Sequence, residues 1–246
     1  MNFYTGFEKA ASTNLQDSGG LAGLAMLGIS GATMTGEALI TGLSGAADRL
    51  DRWEGNATEE QLAKLENEFR EWGAKKKKHV ADIVATSDIG QNAYYPAADL
   101  VISEPRLSTR GHELGHSVKG NKTLSEISLA MYSGAQSPLI KRLYTVGAPA
   151  AAAFSDNEVV SNAAIAAPFV ISSPVLLEEG RASAHALRRI SKAFGAKAAL
   201  KAAPRLAAAF GTYAALPTAV SGAAYAIKKY RPDVIERFRK NREKEG

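Results

Sequence analysis

His112-Glu113-Leu114-Gly115-His116 is the stretch that decides how the rest of the chain is read. On an α-helix, residues four apart stack on one face. His112 and His116 can then point two imidazoles at a single metal ion, with the Glu113 carboxylate within reach of a metal-bound water. Zinc hydrolases use this spacing, with the glutamate as general base. The chain has only four histidines, His79, His112, His116 and His185, so two of them at this spacing around a glutamate carry weight.

The neighbouring residues suit the motif. Ala98-Asp99-Leu100-Val101-Ile102-Ser103 reads as a short strand that ends before Pro105. Ser108 or Thr109 is expected to cap a helix starting near Arg110. An edge strand beside such a helix commonly holds a peptide substrate by strand addition. Gly115, inside the motif, leaves room for another backbone to come close, at some cost in helix propensity.

Zinc catalysis needs a third protein ligand and one open position. No HExxHxxGxxH extension follows, since His116 leads into Ser117-Val118-Lys119-Gly120, and the chain has no cysteine. The best source of a third ligand is Leu177-Glu178-Glu179-Gly180-Arg181-Ala182-Ser183-Ala184-His185. This reads as a second helix with carboxylates near its start, and Ala182 and Ser183 are small enough for tight packing on the first. Spacing alone does not separate Glu178 from Glu179.

Taken together, these segments resemble the membrane-associated neutral zinc metallopeptidases of the YugP type, within the broader gluzincin group. The resemblance rests on Asn92-Ala93-Tyr94-Tyr95-Pro96, the apolar Leu100-Val101-Ile102-Ser103, the HELGH motif, and Glu179-Gly180-Arg181-Ala182-Ser183. It covers roughly residues 85–195 and leaves both ends unmatched. It implies a zincin-like fold, peptidase activity, Zn²⁺ held by His112, His116 and Glu179, and Glu113 as the catalytic base. Gly111 departs from the Ala common at that place, which weakens the helix start but leaves the ligands intact.

His185 lies six residues past Glu179, which is not a same-face spacing. It reads as a packed or solvated histidine on a basic helix, and His79, after Lys75–Lys78, as solvent-facing. Tyr94, Tyr95, Tyr132 and Tyr144 stay equal as oxyanion donors. Glu126 and Asp156 are the carboxylates available to orient the zinc-bound imidazoles.

The formal charge is +5 and the isoelectric point about 9.3. A basic balance suits nucleic acid or anionic lipid. No helix-turn-helix, zinc-finger or RNP signature accompanies it. The charges instead flank apolar stretches, which favours membrane lipid over nucleic acid as a partner. Without cysteine there is neither a disulfide nor a thiolate metal site.

Three stretches are apolar enough to matter: Leu21–Ala47, uncharged except for Glu37; Val146–Leu177, interrupted by Asp156-Asn157-Glu158; and Leu206–Ile227. All three are long enough to match a membrane thickness. The middle stretch reads as one kinked span or as a hairpin of two segments. All three are rich in Ala and Gly, and buried core helices are the competing reading. Thr58-Glu59-Glu60-Gln61 has the form of a capping box. Leu62, Leu65, Phe69 and Trp72 follow at helical steps.

The expected fold is therefore mainly α with a small strand element, zincin-like, with a motif helix and a glutamate-bearing helix forming the zinc site. The expected divisions are an N-terminal apolar segment (1–47), a catalytic domain with embedded apolar helices (48–227) and a basic tail (228–246). The expected function is a zinc metalloendopeptidase acting on peptide or protein substrates at a membrane, its site on the cytoplasmic side by the positive-charge rule. The alternative is a membrane-active or assembly protein with a structural or vestigial metal site.

Overall fold

Thr58 starts a helix as its sequence predicts. Its hydroxyl accepts from the Gln61 N–H, and the Gln61 side chain accepts from the Thr58 N–H. The computed structural model describes residues 15–87, 91–118 and 137–245. In chain order the elements are α1 (Leu15–Glu54), α2 (Glu59–Lys75), β1 (Ile83–Thr86), β2 (Ala93–Tyr95), β3 (Leu100–Ser103), α3 (Leu107–Ser117), α4 (Pro138–Phe154), α5 (Glu158–Phe194) and α6 (Ala196–Glu245). The expected balance of many helices and one small sheet is met. The chain forms two compact units, and α1, α5 and α6 each contribute to both.

One unit draws on residues 40–135 and 173–214. Its sheet has the order β1-β3-β2, with β1 parallel and β2 antiparallel to the central β3. The strand ahead of the motif is thus the middle one and not an edge, so its own hydrogen-bonding edges are already taken. It starts at Leu100 because Asp99 sits at φ +49°. There the Asp99 carboxylate accepts from the Asp82 N–H and the Tyr94 hydroxyl and pairs with His79 at 2.7 Å. His79 is therefore tied to the strand turn and is not simply solvated.

The core of this unit is built from large side chains. Leu65 and Phe69 of α2, Val101 of β3, Leu114 of α3, Ile190 of α5 and Leu206 of α6 are all buried in one cluster. Burying each fully is worth about 1.5–3 kcal/mol. Trp72, the last of the predicted α2 stripe, is only partly buried and packs at the cluster's edge.

The other unit draws on residues 1–39, 136–172 and 215–246. The Asp156 interruption proves to be a turn between two helices: α4 ends at Phe154 and α5 starts at Glu158. Asn157 caps α5, its side-chain oxygen accepting from the N–H groups of Val159 and Val160. Here the core is made of small residues. Ala25, Ala32, Ala148, Ala152 and Ala224 are buried together with Tyr144, Val220 and Ile227.

Candidate metal centre

Four ties fix the motif helix α3, and none was visible as a motif. Glu54, at the end of α1, accepts from the Ser108 N–H at 2.9 Å and from the Ser108 hydroxyl. Ser108 therefore does not cap its own helix. The helix begins at Leu107 after Arg106, which makes no side-chain cap bond, and the Glu54 carboxylate satisfies the N-terminal donor instead. Arg110 is buried and donates to Glu66 at 2.6 Å and to the Thr86 hydroxyl at 2.7 Å. At the other end the Ser117 hydroxyl donates to the Leu114 carbonyl and accepts from the Ala81 N–H.

Against this fixed helix lies α5, at very close range. A methyl group built on Gly115 would stand 2.4 Å from the Ala182 carbonyl oxygen and 2.8 Å from its Cα. No side chain fits there. Gly115 is the price of bringing the two helices within ligand distance, and Ala182 is the small residue that meets it. One turn earlier, Gly111 faces Ala186 in the same way, with 3.2 Å between its built Cβ and that of Ala186.

The close approach brings His112, His116 and Glu179 together. Their candidate ligand atoms all lie within 4.8 Å of one another. The two Nε2 atoms are 3.1 Å apart, and Glu179 Oε2 is 3.0 Å from His112 Nε2 and 3.5 Å from His116 Nε2. Tetrahedral ligands about 2.0–2.1 Å from a zinc ion are separated by about 3.3 Å. The observed triangle has that size, so the donor set fits a metal ion of the zinc type. Among the described residues, no fourth His, Asp or Glu joins the group.

Glu178 and Glu179 have separate tasks. Glu178 Oε1 lies 3.3 Å from His116 Nδ1, on the side of the ring away from the cluster. Arg181 grips the same carboxylate through Nε at 3.0 Å and Nη2 at 2.5 Å, and its Nη1 donates to the Val118 carbonyl at 2.7 Å. The Ser183 hydroxyl is 3.2 Å from His112 Nδ1. Each imidazole thus has a polar partner at Nδ1, which leaves both Nε2 atoms facing Glu179. Partners of this kind fix the tautomer and the ring orientation of metal-binding histidines.

These orienting groups replace the ones expected from sequence. Asp156 belongs to the α4–α5 turn, where it pairs with Arg231, and Glu126 lies outside the described residues. The signal for the actual partners was present in the spacing. Arg181 follows Glu178 by three residues and Ser183 follows Glu179 by four, so each pair shares a helix face.

The Glu113 side chain is also brought to the site. It is only 8% exposed. Burial raises its pKa above the ordinary carboxylate value, and the Glu179 charge adds to that; His112, His116 and Arg205 oppose it. His116 shifts strongly as well. Burial works against its charge, but Glu178, Glu179 and Glu113 outweigh this and hold the imidazolium up to about 10 in the metal-free centre. A surplus of negative charge around two histidines is what a cation would neutralise.

His185 stands apart, its ring 5.0 Å from that of Trp72. Of the four tyrosines, Tyr94 donates to Asp99, Tyr95 is exposed, and Tyr144 is buried in the Ala-rich unit. Tyr132 lies outside the described residues. A scan against protein-family models, a search of curated proteins and a search of solved structures each found no match to this chain.

Proposed function

We propose that the protein is a zinc-dependent metallopeptidase whose centre is His112, His116 and Glu179, with Glu113 as general base. The observation that carries this reading is the 3.0–3.5 Å triangle of two Nε2 atoms and one carboxylate oxygen, with a buried glutamate next to it in sequence. A bound zinc ion would supply Lewis acidity toward a peptide carbonyl and toward water. Glu113 takes a proton from the attacking water and passes it to the leaving amine as the C–N bond breaks. Burial raises its pKa, which makes it a stronger base for taking that proton. Glu178 and Ser183 hold the two imidazoles in register, and Arg181 holds Glu178.

A structural metal site is the competing reading, and it would call for a fourth protein ligand. Among the described residues the group has three donors, which favours an open, catalytic position instead. Two helices, Ala22–Glu54 and Glu158–Phe194, are long and apolar enough to cross a membrane. They support action on peptides or proteins at a membrane surface. The basic run Lys75–Lys78, in the unit that holds the centre, supports a cytoplasmic site by the positive-charge rule.

The experiment is Glu113→Gln assayed with fluorescein-labelled casein. The variant should keep its zinc and lose hydrolysis by about 10²–10⁴-fold, the usual contribution of a general base. Undiminished hydrolysis by this variant would remove Glu113 from the mechanism.

A further inference from the structure

The Ala-rich unit is built inside out. Its interior is mostly alanine (Ala25, Ala32, Ala148, Ala152 and Ala224) with Tyr144, Val220 and Ile227, while Leu27, Met34, Leu139, Val159 and Tyr225 face outward. Leu27 is 73% and Tyr225 58% exposed. The sheet-bearing unit of the same chain has a core of larger side chains, Leu65, Phe69 and Leu114 among them, although Leu177 and Leu200 are exposed there. Water drives large apolar groups inward. In lipid that drive is absent, and helices pack through small residues that let backbones approach. In the most apolar windows of the two candidate spans, only 17% and 28% of residues are buried, which does not describe helices in the core of a soluble domain.

Contacts inside this unit give the helix directions. A methyl on Gly28 would meet Ile227, and one on Gly36 would meet Leu216 and Ala219, so the α1 and α6 segments run antiparallel. Lys228 donates to Asn162 at 2.6 Å and Arg231 to the Ser155 carbonyl at 2.6 Å, so α5 and α6 are antiparallel too. Tyr144 is hydrogen-bonded with Ser172, which does the same for α4 and α5. The 17 residues of α4 span about 25 Å, close to the roughly 30 Å of a hydrocarbon core.

We infer that the outward face of this unit is covered by lipid acyl chains, and that four segments cross the bilayer together: α1, α4, and the parts of α5 and α6 in this unit. This extends the membrane part of the proposed function from two helices to four. An even count puts the start of α1, the Ser155–Asn157 turn and the basic tail from Lys228 onward on one face. The ends of these segments at residues 39, 172 and 215 then lie at the opposite face of the bilayer.

The absence of cysteine makes the test clean, since each introduced thiol is the only one. Single variants Asp156→Cys, Glu243→Cys, Glu71→Cys, Leu27→Cys and Tyr225→Cys of the full chain are expressed in bacterial cells. Each is recovered in the carbonate-washed membrane fraction and treated with a membrane-impermeant maleimide before and after permeabilisation. Asp156→Cys and Glu243→Cys should label from the same side, and Glu71→Cys from the other. Leu27→Cys and Tyr225→Cys should stay unlabelled until the membrane is dissolved. Wild-type protein in the soluble fraction, or labelling of Tyr225→Cys or Leu27→Cys at the rate of Asp156→Cys, would overturn the lipid contact. Any departure of Asp156→Cys, Glu243→Cys and Glu71→Cys from that sidedness would overturn the four-segment topology. None of these readouts depends on zinc or hydrolysis, so the metal reading and this one fail separately.

Discussion

Glu178 and Glu179 are adjacent and chemically identical, yet the turn of one helix sends them to opposite sides of the His116 ring. Glu179 Oε2 faces the two Nε2 atoms, and Glu178 faces Nδ1. Glu178→Gln should therefore keep the metal but weaken its binding by about 10–100-fold, the usual cost of losing an orienting partner. A chelator competition assay measures this, and unchanged affinity would speak against the orienting role. Proton competition gives a second prediction at this scale. His116 is protonated up to about pH 10 in the metal-free centre, so a metal ion must displace that proton. Metal affinity should rise about tenfold per pH unit between pH 7 and 9, whereas a flat profile would contradict the shift. Folding of the metal-free protein runs the other way. The charged His116 stabilises it fully below the unfolded imidazole value of about 6.5, and that stability is lost as pH rises through about 10.

At the scale of elements, the contact between α3 and α5 is what makes three ligands into one site. Gly115→Ala would drive a methyl into the Ala182 backbone, which cannot yield as a flexible side-chain tip can. Overpacking of this kind costs about 1–3 kcal/mol, and here it also moves Glu179 away from the histidines. The variant should lose both thermal stability and zinc. Gly111→Ala meets the Ala186 Cβ at 3.2 Å and its Cα at 3.4 Å, a milder overlap, and gains about 1 kcal/mol of helix propensity, so its cost should be clearly smaller than that of Gly115→Ala. Equal behaviour of the two variants would argue against the close backbone approach. Much of this level could be read in advance. The capping box, the α2 stripe, the HExxH helix and its small-residue partner all follow from local spacing. Three features could not. The strand before the motif is central because the two preceding strands, β1 and β2, flank it on either side, and a four-residue apolar run says nothing about its neighbours. The Glu54 cap on α3 joins residues 54 positions apart. Asp99 starts β3 through a left-handed backbone that its sequence allows but does not require.

For the whole molecule, one chain uses two packing rules, large residues inside in the sheet-bearing unit and small residues inside in the Ala-rich one. Composition hid this division, because a whole-chain mean hydropathy averages over both units and both faces of each helix. It appears only once the inward and outward faces are separated. Charge then pulls in two directions. Lys75–Lys78 lies in the unit with the metal centre, and the tail from Lys228 onward belongs to the Ala-rich unit. If four segments cross, the positive-charge rule cannot place both in the cytoplasm, and impermeant labelling in intact cells decides between them.

Metal analysis of the purified wild-type, Glu179→Ala and Glu178→Ala proteins tests the central claim most directly, because the site stands or falls with its third ligand. The arrangement predicts stoichiometric zinc in the wild type, retained but more easily stripped zinc in Glu178→Ala, and none in Glu179→Ala. Zinc held by Glu179→Ala at the wild-type level would contradict the His112–His116–Glu179 centre.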